Sequence, residues 1–223
     1  MNPLTGQCSA LNMLNSAELV FWDFDGVIKD SLEVKSRAFE NLFRPFGTEA
    51  LEAIGSHHRL NGGLSRYEKI PLYLEWVGQK VTDELVQEYC DLFSKNVKQA
   101  VIDSPWVPGV QEWLLENFQR KYLVLVTATP QLEILEIINA LEIRQCFREV
   151  FGAPIDKEDS IRFVLNKHKI HPMSTLVVGD SKTDLLAANS NSLPFLLRRT
   201  PFNREVEMVF DGAKFEGLIN ESV

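Results

Sequence analysis

The chain has 223 residues, of which 45% are hydrophobic and 24% are charged, and it carries a formal net charge of −8 with a pI near 5.1. These values are typical of a globular protein with one large domain, or with one domain that carries an inserted smaller one. Because nucleic acids and anionic membrane surfaces bind basic proteins, the acidic charge argues against both as partners. No apolar run approaches the roughly 18 residues that a membrane span requires.

The N-terminal segment, residues 1–17, lacks the basic start and the long apolar core of a secretory signal. It is expected to form a frayed tail or a short added helix. Three cysteines lie far apart and in no metal-binding spacing: Cys8, Cys90 and Cys146. They indicate reduced thiols in a cytoplasmic protein.

Apolar stretches along the chain predict buried parallel strands, which run nearly continuous in Val, Ile and Leu. The predicted strands lie at 18–23, 122–128, 149–153, 174–180 and 194–199. Amphipathic helical patterns separate the later strands, at 108–121, 130–143, 156–169 and 181–191. This alternation predicts an α/β fold, a doubly wound (Rossmann-like) parallel sheet with helices on both faces.

A helix-only region interrupts this alternation after the first strand. Four helical patterns follow one another there, at 31–47, 48–59, 65–78 and 82–101. We therefore predict an inserted all-helical cap at 31–105, within a core formed by residues 18–30 and 106–223. Asp30–Ser31 and the proline-rich segment 104–109 would be the two hinges.

Polar side chains stand at the ends of three predicted strands. Asp23 and Asp25 follow the first strand, Thr127 lies near the end of the second, and Asp180 follows the strand at 174–180. In an open parallel sheet, ligands bind just outside the carboxyl ends of the strands. The three segments are therefore expected to meet at one site.

Four ordered motifs carry a family resemblance: DFDGVIKDS, LVTATP, GAPIDKED and VVGDSKTD. The chain resembles the haloacid dehalogenase superfamily of aspartyl-phosphate phosphotransferases over about residues 18–200. Within it, the chain is most similar to the phosphatases and mutases of the phosphoglucomutase-like branch, which carry a helical cap. The resemblance implies a Mg²⁺-dependent hydrolase that removes phosphate from a small phosphomonoester, such as a sugar phosphate.

The resemblance also implies roles for the acidic residues. Asp23 would be the nucleophile that forms an aspartyl-phosphate, and it would also bind the metal. Asp25 would act as general acid and base through its side chain, and its backbone carbonyl would bind the metal. Asp180 would be a carboxylate ligand of Mg²⁺, which prefers hard oxygen ligands. Asp184 fits either the surroundings of the metal or the start of a helix.

The remaining implied site residues bind the phosphoryl group. Thr127 would donate its hydroxyl and Ala128 its backbone N–H to phosphate oxygens, with Pro130 placed in the first turn of the next helix. Lys157 would be a fixed cation that bridges Asp23 and the phosphoryl group. An ordinary strand threonine and a solvated lysine are the alternatives.

In the cap, the segment 55–70 concentrates basic residues around the turn Asn61–Gly62–Gly63. Arg66 is the candidate for binding an anionic substrate, because a guanidinium suits bidentate contact with phosphate or carboxylate. The alternative is a polar turn beside a solvated helix. Members of this superfamily that hydrolyse carbon–phosphorus bonds use a cap lysine as a Schiff-base amine. Arginine stands at the comparable position here, which argues against that activity, but Lys69 lies near in the sequence.

Two alternative functions remain open at this point. A phosphomutase would use the same motifs and transfer the phosphoryl group to a sugar hydroxyl instead of water. A phospho-acceptor regulatory or binding module would need neither Asp25 nor a cap. The expected partner is a small phosphorylated metabolite, and the expected assembly is a monomer or a homodimer.

Overall fold

The computed structural model describes residues 3–219, and its centre is a single six-stranded sheet. The strands are β1 (Leu19–Trp22), β2 (Tyr122–Pro130), β3 (Glu149–Ala153), β4 (Thr175–Gly179), β5 (Phe195–Arg198) and β6 (Lys214–Phe215). All neighbouring strands are parallel, in the order β3-β2-β1-β4-β5-β6. The strand order reverses between β1 and β4, and such a switch point is where open α/β sheets bind ligands.

Helices surround this sheet and also form the region after β1. They are α1 (Pro3–Ser16), α2 (Leu32–Phe43), α3 (Thr48–Leu60), α4 (Arg66–Trp76), α5 (Asp83–Asp103), α6 (Val110–Asn117), α7 (Gln131–Ala140), α8 (Lys157–His168), α9 (Lys182–Ser190) and α10 (Arg204–Val209). The predicted strands and helices are all present, with ends shifted by a few residues. The predicted fold class, a doubly wound parallel sheet with an inserted helical cap, is confirmed.

Successive strand residues supply both faces of the sheet, as the period of two in a strand requires. Trp22 of β1 packs in the larger of two apolar clusters, and the centre of its ring lies 5.4 Å from the centre of the Trp113 ring of α6. Phe21 belongs to a second cluster with Ile161 of α8 and Ala187 of α9. Because both faces of β1 are covered, its four residues are all buried and the strand is continuously apolar.

Helices α2–α5 enter and leave the core through two adjacent segments. Lys29 forms an antiparallel bridge with Trp106, and the Asp30 N–H donates to the Pro105 carbonyl at 2.8 Å. Helix α5 also packs against α7 of the core, so the helical region contacts the core beyond these two connecting segments. The division at residues 31 and 105 stays a prediction.

Two details differ from the sequence expectations, and a third was left open between two forms. Pro130 does not lie in the first turn of a helix: it ends β2, and α7 begins at Gln131. Strand β6 and helix α10 were not predicted, because two and six residues carry too little periodicity. Of the two forms expected for the N-terminal segment, the structure has the helix, α1, which packs against β6 and buries Ala10 and Leu14.

Candidate active site

A small cavity lies between the carboxyl ends of the central strands and helices α2–α5. All seven residues that the sequence nominated line it: Asp23, Asp25, Arg66, Thr127, Ala128, Lys157 and Asp180. Its volume is about 40 Å³. Such a space holds a few water molecules, so the structure shows the helical cap closed over the site. The closed cavity is smaller than a phosphomonoester, so we expect the cap to move when a substrate binds.

Three buried carboxylates form the most acidic part of this site. Asp23, Asp180 and Asp184 each offer an oxygen, and these atoms lie within 4.8 Å of one another. Burial and the neighbouring carboxylate of Asp184 raise the pKa of Asp23 to about 7. Burial and the charge of Asp23 likewise raise the pKa of Asp180.

Such crowding of carboxylates is unfavourable unless a cation offsets it. Hard oxygen ligands at this spacing fit a divalent cation such as Mg²⁺. Asp184, which the sequence left ambiguous, belongs to this group of carboxylates. The side chain of Asp25 does not, and its predicted metal contact is through the backbone carbonyl.

Lys157 is the cation that the protein itself supplies beside the nucleophile. It is the first residue of α8, whose N-terminus Asp156 caps by accepting from the Glu158 N–H at 2.8 Å. Its Nζ lies 2.6 Å from Asp184 Oδ1 and 3.1 Å from Asp23 Oδ1. Although burial opposes the charge, the carboxylates of Asp184 and Asp23 raise the pKa of Lys157. The ammonium is therefore retained in the closed site.

The carboxylate of Asp25 is held by donors that the sequence did not identify. Ser31 Oγ donates to Oδ1 at 2.6 Å, Thr129 Oγ1 donates to Oδ2 at 3.0 Å, and Lys35 Nζ also donates to Oδ2. Burial acts to raise the pKa of Asp25, but the charge and hydrogen bond of Lys35 outweigh it, and the pKa is lowered. Asp25 is thus ionised here, the form that accepts a proton.

The hydroxyl group of Thr127 points into the same region. Its Oγ1 accepts from the Thr129 N–H at 3.2 Å, and the side chain is buried. Ala128 lines the cavity between them. The role of Thr127 and Ala128 in binding phosphate oxygens stays a prediction, and this placement is compatible with it.

Arg66 reaches the cavity from α4, but its guanidinium is already paired. Nη1 lies 2.8 Å from Glu133 Oε2, and Nη2 lies 2.5 Å from Glu133 Oε1. Ser94 Oγ also donates to Oε2, at 2.5 Å. Because Glu133 belongs to α7, this buried pair joins the cap to the core, a role that the sequence did not suggest. Substrate binding by Arg66 stays a prediction.

Two further cap residues that line the cavity are Lys69 and His58. Lys69 Nζ lies 3.2 Å from His58 Nδ1 and 3.5 Å from the Gly62 carbonyl oxygen. Burial and the charge of Lys35 lower the pKa of Lys69 to about 7. Burial and the charge of Lys69 lower the pKa of His58 well below its usual range, so this imidazole is neutral.

The turn that follows α3 closes the cavity against the core. A Cβ on Gly63 would lie 1.9 Å from Thr183 Oγ1 and 2.4 Å from Ser181 Oγ. Only glycine allows this approach of the cap turn to the start of α9. Ser181 in turn donates from its backbone N–H to Asp184 Oδ2 at 3.0 Å. In the closed state the cap turn therefore lies close to Ser181 and Thr183, which neighbour Asp184 in the chain.

The chain is similar in sequence and in fold to several known proteins. In Vibrio cholerae serotype O1, a phosphoglycolate phosphatase is 28% identical over 185 residues, which cover 79% of this chain and 82% of that protein. A phosphorylated carbohydrates phosphatase of Thermotoga maritima is 28% identical over 179 residues, which cover 78% of this chain and 81% of that protein. The crystal structure of CbbY from Rhodobacter sphaeroides in complex with phosphate shares the fold, with a TM-score of 0.72 at 18% identity over 91% of this chain and 95% of that one.

Among the helices in residues 3–219, none combines the length and the apolar character that crossing a membrane demands.

A family model described as haloacid dehalogenase-like hydrolase matches residues 20–197, most of the chain. The predictions of family and of enzyme class, a phosphatase, are confirmed. This chain belongs to the haloacid dehalogenase-like hydrolases.

Proposed function

We propose that this protein is a Mg²⁺-dependent phosphatase that hydrolyses a small phosphomonoester through an aspartyl-phosphate on Asp23. One observation carries the proposal. Asp23 directly follows the central strand β1, with a cation, Lys157, 3.1 Å away and with two further carboxylates that fit a divalent metal. A carboxylate in such surroundings can attack an anionic phosphate, because the positive charges offset the repulsion.

The first half-reaction is assigned to four groups of the chain. Asp23 attacks phosphorus, and Lys157 holds the phosphoryl group beside it. Thr127 and the Ala128 N–H bind phosphoryl oxygens. Bound Mg²⁺, with Asp23, Asp180 and the Asp25 backbone carbonyl as proposed ligands, would supply the positive charge that offsets the carboxylates and the phosphate.

Proton transfer is assigned to Asp25. It protonates the departing oxygen in the first step and takes a proton from the attacking water in the second. In the closed structure the Lys35 ammonium keeps Asp25 ionised, which suits the second step. Since Lys35 belongs to α2, movement of the cap would separate the two groups and let Asp25 acquire its proton.

Hydrolysis is favoured over transfer to a sugar hydroxyl by the relatives, which are named as phosphatases of phosphoglycolate and of phosphorylated carbohydrates. Both names describe small phosphorylated metabolites, and we propose that class of substrate for this protein.

A phosphate-release assay tests this proposal. Purified protein is given Mg²⁺ and a panel of phosphomonoesters that includes p-nitrophenyl phosphate, 2-phosphoglycolate and hexose phosphates. We expect phosphate release from some of these esters and its loss when the metal is chelated. Absence of release from the entire panel, by protein whose circular dichroism shows it folded, would contradict the proposal.

A further inference from the structure

Four lysine and arginine side chains line the cavity, and they differ in whether a carboxylate lies close enough to form an ion pair. Three of them have a carboxylate within ion-pair distance: Lys35 with Asp25, Arg66 with Glu133, and Lys157 with Asp23 and Asp184. The fourth is Lys69. Within residues 3–219, no carboxylate oxygen lies within 4.0 Å of its Nζ.

Lys69 is also almost completely enclosed, with 2% of its surface exposed. Its polar neighbours are the imidazole of His58 and the carbonyl oxygen of Gly62, and neither carries a negative charge at neutral pH. An enclosed ammonium without a counter-charge is costly for the fold. Such a group beside an active site indicates that a ligand supplies the missing anion.

The two neighbouring side chains can bind a carboxylate together. An ammonium only donates hydrogen bonds, so His58 Nδ1 accepts from Lys69 and the neutral ring carries its proton on Nε2. One ammonium and one imidazole N–H provide donors for the two oxygens of a carboxylate. The charge also matches, because one unpaired cation calls for one negative charge, whereas a second phosphate brings about two.

We propose that Lys69 and His58 bind a carboxylate on the substrate, so that the enzyme acts on phosphorylated small carboxylic acids. This inference rests on the proposed phosphatase function and narrows it to one substrate class. Asp23 and Lys157 would engage the phosphate from the core side, and Lys69 and His58 would engage the carboxylate from the cap. Both pairs of residues line the same cavity, so one small molecule can contact them together when it binds there.

Three matched esters test the proposal: 2-phosphoglycolate, 2-hydroxyethyl phosphate and ethane-1,2-diol bisphosphate. They carry a carboxylate, a neutral hydroxymethyl group and a second phosphate at the same position. We expect the wild-type kcat/KM for 2-phosphoglycolate to exceed that for 2-hydroxyethyl phosphate by roughly 30-fold or more, as for a buried charge-assisted pair. The preference should largely disappear in Lys69→Met and survive in part in Lys69→Arg, which keeps the charge.

Lys95→Met is the matched control, because Lys95 is an exposed lysine of the same cap. It removes the same charge and should leave the preference unchanged. Calorimetric binding of 2-phosphoglycolate to folded Lys69→Met, in the presence of Mg²⁺, gives a readout that does not need turnover. We expect weakened binding there and wild-type binding in Lys95→Met.

Different results identify which statement is wrong. Equal kcat/KM values for the acid and for the hydroxymethyl ester would overturn the carboxylate site and leave the phosphatase function intact. Faster hydrolysis of the bisphosphate than of 2-phosphoglycolate would show that the cap binds a second phosphate and not a carboxylate. That result would also overturn the proposal. If no ester, including p-nitrophenyl phosphate, releases phosphate, the phosphatase function fails and this inference fails with it.

Discussion

The unpaired Lys69 leads to a stability prediction that requires no substrate. Burial and the charge of Lys35 lower its pKa from 10.5 to about 7 in the folded protein. The unfolded chain therefore binds more protons between these two values, and the free energy of unfolding rises with pH across that interval. The cost of the charged lysine is complete below about pH 7 and disappears above about pH 10.5.

The size of this cost follows from the same two pKa values. Each pKa unit corresponds to about 1.36 kcal/mol, so the charged side chain costs on the order of 5 kcal/mol at pH 6 and about 2 kcal/mol at pH 9. Lys69→Met removes the charge and nearly keeps the volume. The variant should therefore be more stable than the wild type at pH 6, and its advantage should shrink by about 3 kcal/mol at pH 9.

Urea unfolding of both proteins at pH 6 and pH 9, with the metal chelated, measures this difference. The charged and titratable groups that face Lys69 are present in both proteins: Asp25, Lys35, His57, His58, Glu68 and Lys157. Their contributions largely cancel, and Lys95→Met controls for the loss of an exposed lysine. An advantage of the same size at both pH values, or a Lys69→Met variant that is less stable at pH 6, would refute the reasoning.

Three further variants test the proton donor, the cap–core pair and cap closure. Asp25→Asn should lower kcat/KM, which reports the first half-reaction, far more for 2-hydroxyethyl phosphate than for p-nitrophenyl phosphate, whose phenolate leaves without a proton. Glu133→Gln leaves Arg66 enclosed without its counter-charge and should lower the unfolding free energy by about 3–5 kcal/mol, measured by denaturant titration. Gly63→Ala places a Cβ 1.9 Å from the Thr183 hydroxyl of α9, so it should prevent closure of the cap and lower kcat at least tenfold. Gly62→Ala is the control, because open space surrounds that position, and its kcat should stay unchanged.

Each of these variants has an outcome that contradicts its premise. An equal loss of kcat/KM for both esters in Asp25→Asn would remove its role as the acid. Wild-type stability of Glu133→Gln would show that its pair with Arg66 contributes little. If Gly63→Ala and Gly62→Ala turn over at the same rate, close contact between the cap turn and α9 is not needed for catalysis.

Much of the fold follows from local sequence patterns. Continuous apolar runs such as the one at 19–22 predict buried strands, and the strand-end residues meet because parallel strands finish at one edge of a sheet. Asp23, Thr127 and Asp180 therefore line one cavity as expected. Thr129 could have been found too, because it lies two residues after Thr127 and thus on the same side of β2.

The contacts between cap and core could not be predicted in this way. The pair of Arg66 and Glu133 joins positions 67 residues apart, and Lys35 meets Thr129 across 94 residues. These contacts depend on how the helical cap is oriented over the sheet, which no local period encodes. The same holds for Lys69, whose sequence neighbours suggest a solvated helix face although the side chain is enclosed.

The measurement that most directly tests the nucleophilic role of Asp23 is chemical trapping of the phosphorylated enzyme. The protein is quenched during turnover of p-nitrophenyl phosphate with Mg²⁺ and reduced with borohydride, which converts an aspartyl-phosphate to homoserine. Mass spectrometry should then find homoserine at position 23 in the wild type and none in Asp23→Asn, which should release phosphate at less than about a thousandth of the wild-type rate. Phosphate release by Asp23→Asn at a rate comparable to that of the wild type would contradict the account.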